Sequence, residues 1–313
     1  MSVEICVVMP TYNRESYLRE AIDSILNQTV KPGDIFICDD GSTDNTQSVL
    51  RSYGEKIRWV TIQNSGPAMA RKIAIENTTA PWVALCDSDD VWMPDHLERL
   101  MGAIGLWPET DVVSSNFEHF NAQGSFGVSK FHTAPPGWWE EFTTKTDAEY
   151  QSFDANAYPA LLQFQPVFTT SQMFRRRLYT QVGGIDRAMA RMVSEDAHLT
   201  LRMAARGVVV FDCKITAKIR RHAENFSGDS IKVAEGDIGV LRHLVENGLI
   251  PDRFTACTVK DIARRKADLF NNYFWMRDFQ KARAAVGDVP PDRRDVMFYI
   301  RAIIAFAAIG IGK

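Results

Sequence analysis

An α/β fold, with a mostly parallel central sheet covered by helices on both faces, is predicted by two features of the first ninety residues. Short apolar, β-branched runs recur at residues 5–9, 35–38, 57–62 and 82–86. Between them lie stretches whose apolar residues repeat at helical spacing. An alternation this tight builds right-handed βαβ units, which place strands side by side and cover the sheet with the intervening helices. Ligands on such sheets bind beyond the carboxyl ends of the strands, so the residues following each run are the ones to read for chemistry.

In chain order, residues 5–9 read Ile-Cys-Val-Val-Met, a run apolar enough for a strand buried on both faces. Ala21, Ile22, Ile25 and Leu26 line one face of the first helix, Val49 and Leu50 close the second, and Ala70, Ile73 and Ala74 mark the third. From 105 to 165 the periodicity weakens and aromatic residues thicken around Pro135-Pro136-Gly137-Trp138-Trp139, which predicts an inserted loop region or lid. Regularity returns with strands at 169–175, 208–211 and 216–221 and a helix at 195–206. Beyond Ile231 the pattern is helical, giving a first domain over 1–230 and a C-terminal helical subdomain over 231–313.

Composition narrows the function. With 313 residues, 45% of them hydrophobic and 24% charged, the chain is neither disordered nor fibrous. Its 36 basic and 39 acidic residues leave a net charge of −3, so no general field attracts nucleic acid and an anionic ligand must be held locally. Five cysteines, without a CxxC pair and with three inside apolar runs, read as reduced thiols. With no secretory signal ahead of the first strand, the expected location is the cytoplasm. The apolar stretch 302–312 behind Arg301 falls short of the about 20 residues needed to span a bilayer. It reads as a helix packed on the protein or lying on the inner face of the membrane.

The strand ends carry Pro10-Thr11-Tyr12-Asn13-Arg14, Asp39-Asp40-Gly41-Ser42-Thr43-Asp44 and Asp87-Ser88-Asp89-Asp90. None is a GxGxxG or P-loop cradle, and HExxH and GxSxG are absent too, which removes support for hydride transfer, ATP hydrolysis, metalloprotease and serine-hydrolase chemistry. Three carboxylates within 87–90 repel one another unless a cation or hydrogen bonds compensate them, so they read as a divalent-metal cradle or as a turn capping the helix after Pro94. Residues 39–44 read as a glycine turn with Asp44 as helix cap, or as acceptors for a nucleobase or ribose. Glu195-Asp196 behind Ser194 suit the first turn of a helix for its dipole, or supply a general base. Arg220-Arg221-His222 reads as a solvated strand end, or as a cluster for a diphosphate or metal.

Taken together and in order, these motifs closely resemble glycosyltransferase family 2. The resemblance rests on 7–14, 21–29, 39–44, Asn64-Ser65-Gly66-Pro67-Ala68 with Ala70-Arg71, and 87–90, then on Val182-Gly183-Gly184-Ile185-Asp186, Ser194-Glu195-Asp196 and Arg220-Arg221-His222. It covers roughly residues 3 to 228. It implies a GT-A fold, a nucleotide-diphosphate sugar donor, a divalent cation (Mn²⁺ or Mg²⁺) and inversion at the anomeric carbon. Carried over by position, Pro10, Thr11 and Tyr12 border the base and Asp40 accepts from a uracil imide. Arg71 braces the nucleotide and the acidic loop, while Asp87 and Ser88 lie on the nucleotide side. Asp89 is the principal metal ligand and His222 lies near the diphosphate or metal. Asp196 is the catalytic base, and Glu195 orients it or the acceptor.

Lys72 departs from the Asn often found after that Arg, and the Q-x-x-R-W pattern of processive synthases is missing. The expectation is therefore single addition of a hexosyl or N-acetylhexosaminyl unit, from a UDP-sugar to a saccharide or lipid-linked acceptor in surface-glycan assembly. A noncatalytic sugar-nucleotide or glycan-binding module on the same fold is the alternative. A nucleotidyltransferase would need a Gly-rich basic loop where 10–14 stand. Trp138 and Trp139 are candidates to stack on acceptor sugars, or to form a small core of their own loop.

Overall fold

The computed structural model describes residues 4–155, 157–222 and 229–310. The chain forms two compact units, Met1–Asn225 and Phe226–Lys313.

The first unit begins β1 (Ile5–Thr11), α1 (Leu18–Leu26), β2 (Asp34–Asp39), α2 (Thr46–Ser52), β3 (Arg58–Thr61), α3 (Pro67–Glu76) and β4 (Trp82–Leu85). It continues with β5 (Val91–Trp92), α4 (His96–Leu106), β6 (Thr110–Asn121), β7 (Gly124–Ser129), α5 (Trp138–Phe142), β8 (Lys145–Thr146), β9 (Tyr150–Phe153) and α6 (Ala157–Gln163). It closes with β10 (Gln172–Arg175), α7 (Arg176–Gln181), α8 (Glu195–Ala204) and β11 (Val208–Arg220).

Among the described residues the strands form one sheet in the order β3-β2-β1-β4-β10-β6-β11-β9-β8, with β5 on β11 and β7 on β6. Six of the seven strands from β3 to β11 point the same way, and β10 alone runs against them. All seven residues of β1 are buried, as its unbroken apolar run requires. Helix α1 buries Leu18, Ala21, Ile22 and Ile25, the stripe that its 3.6-residue period places on one face. The first crossovers carry the chain from β1 outward to β2 and β3, and the next returns it to β4 on the other side of β1. That reversal is a topological switch point, where the connections diverge and leave a crevice at the carboxyl ends of β1 and β4.

Three sequence expectations need correction. Residues 105–165 are not a loop or lid: they supply β6, which pairs with both β10 and β11, together with β7, β8, β9, α5 and α6. The strands expected at 208–211 and 216–221 are one strand, β11, whose register against β6 shifts between Asp212 and Ile215 and again between Ile215 and Ala217. Those irregularities let the strand keep its pairing through a stretch where the apolar alternation breaks. The strand expected at 169–175 begins only at Gln172, after a short 3₁₀ turn at Thr169–Ser171.

The second unit is helical: α9 (Ser230–Glu246), α10 (Thr255–Trp275), α11 (Phe279–Ala285) and α12 (Val296–Gly310). Asp229 caps α9 by accepting from the amides of Ile231 and Lys232. Ile231, Phe270, Tyr273, Ala282, Val289, Phe298, Ala302 and Ala305 form its apolar core. Among the described residues no helix is long and apolar enough to cross a membrane.

Candidate active site

The ends of β1 and β2 lie level, with Thr11 opposite Asp39 in register. Asp39 and Asp40 then do different jobs. Asp39 fastens its own turn, accepting from the Ser42 amide at 3.0 Å, from Gln47 Nε2 at 3.0 Å and from the Thr61 hydroxyl at 3.0 Å. Asp40 reaches the start of α3, where its two oxygens accept from the amides of Ser65 at 2.7 Å and Gly66 at 2.8 Å. Burial raises its pKa, and the two amides work against that rise. Gly66 is required here: φ is +94°, and a Cβ would stand 2.2 Å from the Ala190 carbonyl oxygen. Pro10 and Thr11 are buried, the Thr11 hydroxyl has no hydrogen-bond partner among the described residues, and Tyr12 is exposed. Asp44 is not the helix cap residue; Asn45 occupies that position, and Asp44 Oδ1 accepts from the Thr46 amide beyond it.

The acidic loop after β4 is held by partners from distant segments. The Thr170 hydroxyl accepts from the Asp87 amide at 3.0 Å and donates to Asp90 Oδ2 at 2.5 Å. The Arg220 amide donates to Asp90 Oδ1 at 2.8 Å, and the Arg220 Nε donates to the Asp89 carbonyl at 2.8 Å. These bonds tie the loop to the end of β11, which brings His222 to Asp89. His222 Nε2 lies 3.0 Å from Asp89 Oδ2, and Arg14 Nε donates to the same oxygen at 3.2 Å. The His222 ring stacks on Tyr17 with centroids 4.9 Å apart. Ser88 is buried between the acids. Burial raises the pKa of Asp87, with Arg71 opposing and Asp89 adding to the rise. Burial and then the charges of Asp89 and Asp87 push Asp90 well up.

Arg71 joins this loop to α8. Fully buried on α3, it donates through Nη1 to Glu195 Oε1 at 2.5 Å and through Nη2 to Asp87 Oδ1 at 3.1 Å. Burial disfavours its charge, but Glu195 and Asp87 more than restore it and raise its pKa. Burial lifts Glu195 to about 7; Arg71 opposes that rise and Asp196 reinforces it. Asp196 is only half-buried and accepts from the Thr169 hydroxyl at 3.3 Å and from the Ala197 amide at 2.9 Å. Ser194 precedes them in a left-handed conformation, φ +67°, and its side chain makes no capping hydrogen bond to α8. For a residue with a Cβ that conformation is strained, and the local turn is held by the packing around it.

The structure thus brings Arg71, Asp87, Glu195 and Asp196 into one cluster and Asp89 with His222 into the adjoining one. It does not bring the tryptophans there. Trp138 is 1% exposed, with its Nε1 donating to the Ala160 carbonyl and its ring packed on Trp139, Phe142, Phe153, Phe164 and Phe211. This corrects the expectation that Trp138 stacks on an acceptor, because its faces are spent on an aromatic core. Trp139 is half-buried beside it, with Nε1 donating to the Phe131 carbonyl.

Arg14, Tyr17, Thr169 and Thr170 also belong to the site, although the sequence alone does not mark them as its residues, and Asp90, the third carboxylate of 87–90, joins it through Thr170 and Arg220. Arg14 had a signal, since it stands in the first strand-end motif. The two threonines had none, because they follow a stretch without clear periodicity and meet the acids only through the fold.

Chemically, the loop suits a hard divalent cation. The second oxygen of Asp87 and of Asp89 accepts no hydrogen bond among the described residues, and the pKa values of Asp87 and Asp90 are raised first by burial and then by neighbouring acids, whose repulsion a cation would relieve.

The chain matches the family model for glycosyl transferase family 2 over residues 6–177. Glycosyltransferase GlyA of Streptococcus pneumoniae is 28% identical over 182 residues, which cover 57% of this chain and 25% of GlyA. An uncharacterized glycosyltransferase of Rickettsia prowazekii is 25% identical over 234 residues, covering 74% of this chain and 68% of its own length. Putative teichuronic acid biosynthesis glycosyltransferase TuaG of Bacillus subtilis is 38% identical over 99 residues, 30% of this chain and 39% of TuaG. The chain therefore spans a quarter to about two thirds of these relatives.

Among solved structures, residues 1–349 of S. aureus TarS in complex with UDP superpose with a TM-score of 0.65 at 17% identity, over 97% of this chain and 89% of that one. The mannosyltransferase PcManGT of Pyrobaculum calidifontis, in complex with GDP-Man and Mn²⁺, gives 0.58 at 17% identity over 99% and 87%. These likenesses establish the GT-A fold. The switch-point sheet, the ordered strand-end motifs and a family match spanning more than half of the sequence place this chain in glycosyltransferase family 2.

Proposed function

We propose that this glycosyltransferase moves one sugar, with inversion, from a nucleotide-diphosphate donor, a UDP-sugar first among them, to a saccharide or lipid-linked acceptor in surface-glycan assembly. The observation that carries the reading is the Arg71 bridge, which fixes the acidic loop at Asp87 and the start of α8 at Glu195 in one cluster. TarS with UDP and PcManGT with GDP-Man and Mn²⁺ share the fold and lend support to a nucleotide-sugar donor and a divalent ion.

In this reading Pro10, Thr11 and Tyr12 border the base, and the exposed Tyr12 ring offers it a face. Asp40 keeps two hydrogen bonds to the start of α3 and, with lone pairs to spare, accepts from the base imide as well. Asp87 and Ser88 lie on the ribose side, and Asp89 with His222 would hold Mn²⁺ or Mg²⁺. When bound, that ion offsets the charge collecting on the leaving diphosphate. Asp196 takes the acceptor hydroxyl proton as that oxygen bonds to the anomeric carbon and the bond from carbon to diphosphate oxygen breaks. One displacement on the face opposite the leaving group inverts the centre. Glu195, anchored on Arg71, holds the first turn of α8 so that Asp196 meets the acceptor.

Calorimetric titration of UDP with and without Mn²⁺ tests the donor side. Metal-enhanced binding by the wild type that Asp89→Ala loses is the expected result; equal absence of binding in both would overturn the reading. Mass spectrometry of metal-dependent hydrolysis across UDP-, GDP- and dTDP-sugars then selects the donor.

A further inference from the structure

Helix α12 packs on its own unit through one narrow stripe. Phe298, Ala302 and Ala305 are buried, spaced four and three residues apart. At 3.6 residues per turn, Val296, Tyr299, Ile300, Ile303, Ile304 and Phe306 spread over about half of the circumference, and each of these side chains is exposed. Ile303 is 69% exposed, and the only charged residue in the helix is Arg301. A soluble helix exposes a polar face; one that is apolar nearly all round belongs against an apolar medium. The same surface is extended by Trp275, 68% exposed at the end of α10, whose ring lies 5.3 Å from the Arg301 guanidinium. Arg283 lies 4.7 Å from the Phe306 ring in the same way.

We propose that α12 and the end of α10 form a docking face for an anionic lipid surface, with the helix lying in the plane of the headgroups. Three observations select this occupant. Residues 226–313 carry 14 basic and 11 acidic residues, of which twelve basic and six acidic lie from Arg253 onward, whereas residues 1–225 carry 22 basic and 28 acidic. The charge that complements acidic headgroups is thus concentrated in the segment bearing the apolar face, and it would set two copies of that segment against each other. Second, tryptophan, tyrosine and arginine together at an apolar edge suit the boundary between acyl chains and headgroups, where an apolar ring and a polar group are accommodated side by side. Third, α12 has 15 residues, about 22 Å of helix, which is less than the about 30 Å of a bilayer core. Over these residues the helix has the length to lie along one leaflet. A second copy would pair through a seam of a and d positions, narrower than half a helix.

Flotation of the full chain with vesicles tests the assignment, using phosphatidylcholine alone and phosphatidylcholine mixed with phosphatidylglycerol. Flotation with the mixed vesicles is expected, with weaker flotation on neutral ones and weakening by salt. Ile303→Glu sets a charge in the apolar face, and at least tenfold weaker partitioning is expected, about the factor for moving one charge into an apolar interface. Ile303→Ser, with an unchanged melting temperature, should give a smaller loss in the same direction. No flotation on either vesicle overturns the proposal, as does flotation that Ile303→Glu leaves intact. A dimer seen by light scattering, broken by Ile303→Glu in a chain that never floats, would assign the face to a second copy instead.

Discussion

Two groups of carboxylates lie on either side of Arg71, at residues 87–90 and at 195–196, and their partners differ in kind. In the loop, Asp90 is held by a hydroxyl and a backbone amide, and Asp89 by an imidazole and a guanidinium. At α8, Glu195 has the Arg71 guanidinium and deep burial, while Asp196 has a hydroxyl, an amide and more access to solvent. The loop gathers negative charge at one place and holds it with groups from three distant segments. Helix α8 instead offers an accessible acid beside one whose protonation changes near neutrality. Compensated charge suits holding a ligand; an accessible carboxylate suits moving a proton.

The sharpest way to separate the two groups is Asp196→Asn. Nucleotide binding should stay within twofold while turnover falls about 10³-fold, read by calorimetry and single-turnover transfer; near-normal turnover would relocate the base. Next, Arg71→Met removes the cation shared by both groups and leaves Glu195 and Asp87 without it. Breaking a buried pair in this way costs about 3–5 kcal/mol, measurable by urea denaturation. A loss under about 1 kcal/mol would mean that the two groups do not depend on that bridge.

Glu195→Gln gives a smaller, pH-dependent effect. The folded pKa lies near 7 against an ordinary 4.5, so between these values the native state holds a proton that the unfolded chain has released. Stability from this group is therefore greatest below pH 4.5 and is lost as pH rises through about 7. Across that window the wild type should lose about 3 kcal/mol relative to the glutamine variant. Parallel stability curves would remove Glu195 from the account of pH dependence. The smallest effect is expected at Tyr12, where Tyr12→Ala should raise the donor KM about tenfold through loss of base stacking and leave kcat nearly unchanged.

The two halves of the sheet are not equally legible in the sequence. Strands β1, β2 and β4 are continuous apolar runs whose ends carry the motifs, so this half of the fold and the acids at its strand ends can be read from the residues alone. Strand β6 escapes because Ser114, Ser115 and Asn116 interrupt its apolar run, although all three are buried. The polarity of two of them is met inside the protein, with the Ser114 hydroxyl 2.9 Å from that of Ser171 and Asn116 donating to the Cys213 carbonyl at 3.2 Å, while the Ser115 hydroxyl has no partner among the described residues. A buried strand satisfied by side chains of other segments looks like a loop when read alone. For the same reason Asp196 and His222 stand out through motifs, whereas Thr169 and Thr170 emerge only with long-range pairing.

The staple that Thr170 and Arg220 place on the acidic loop also has a consequence for synthesis. Asp87, Asp89 and Asp90 leave the ribosome some eighty residues before Thr170 and more than a hundred and thirty before His222. Until then their mutual repulsion has no compensation from those partners. A chain halted at residue 177, where the family match stops, would contain β1 to β4 and the acids but lack Glu195, Asp196, Arg220 and His222. The cluster is thus completed late, when β11 docks beside β6, and premature termination leaves a fragment that carries the strand-end motifs without the side chains that compensate their acids.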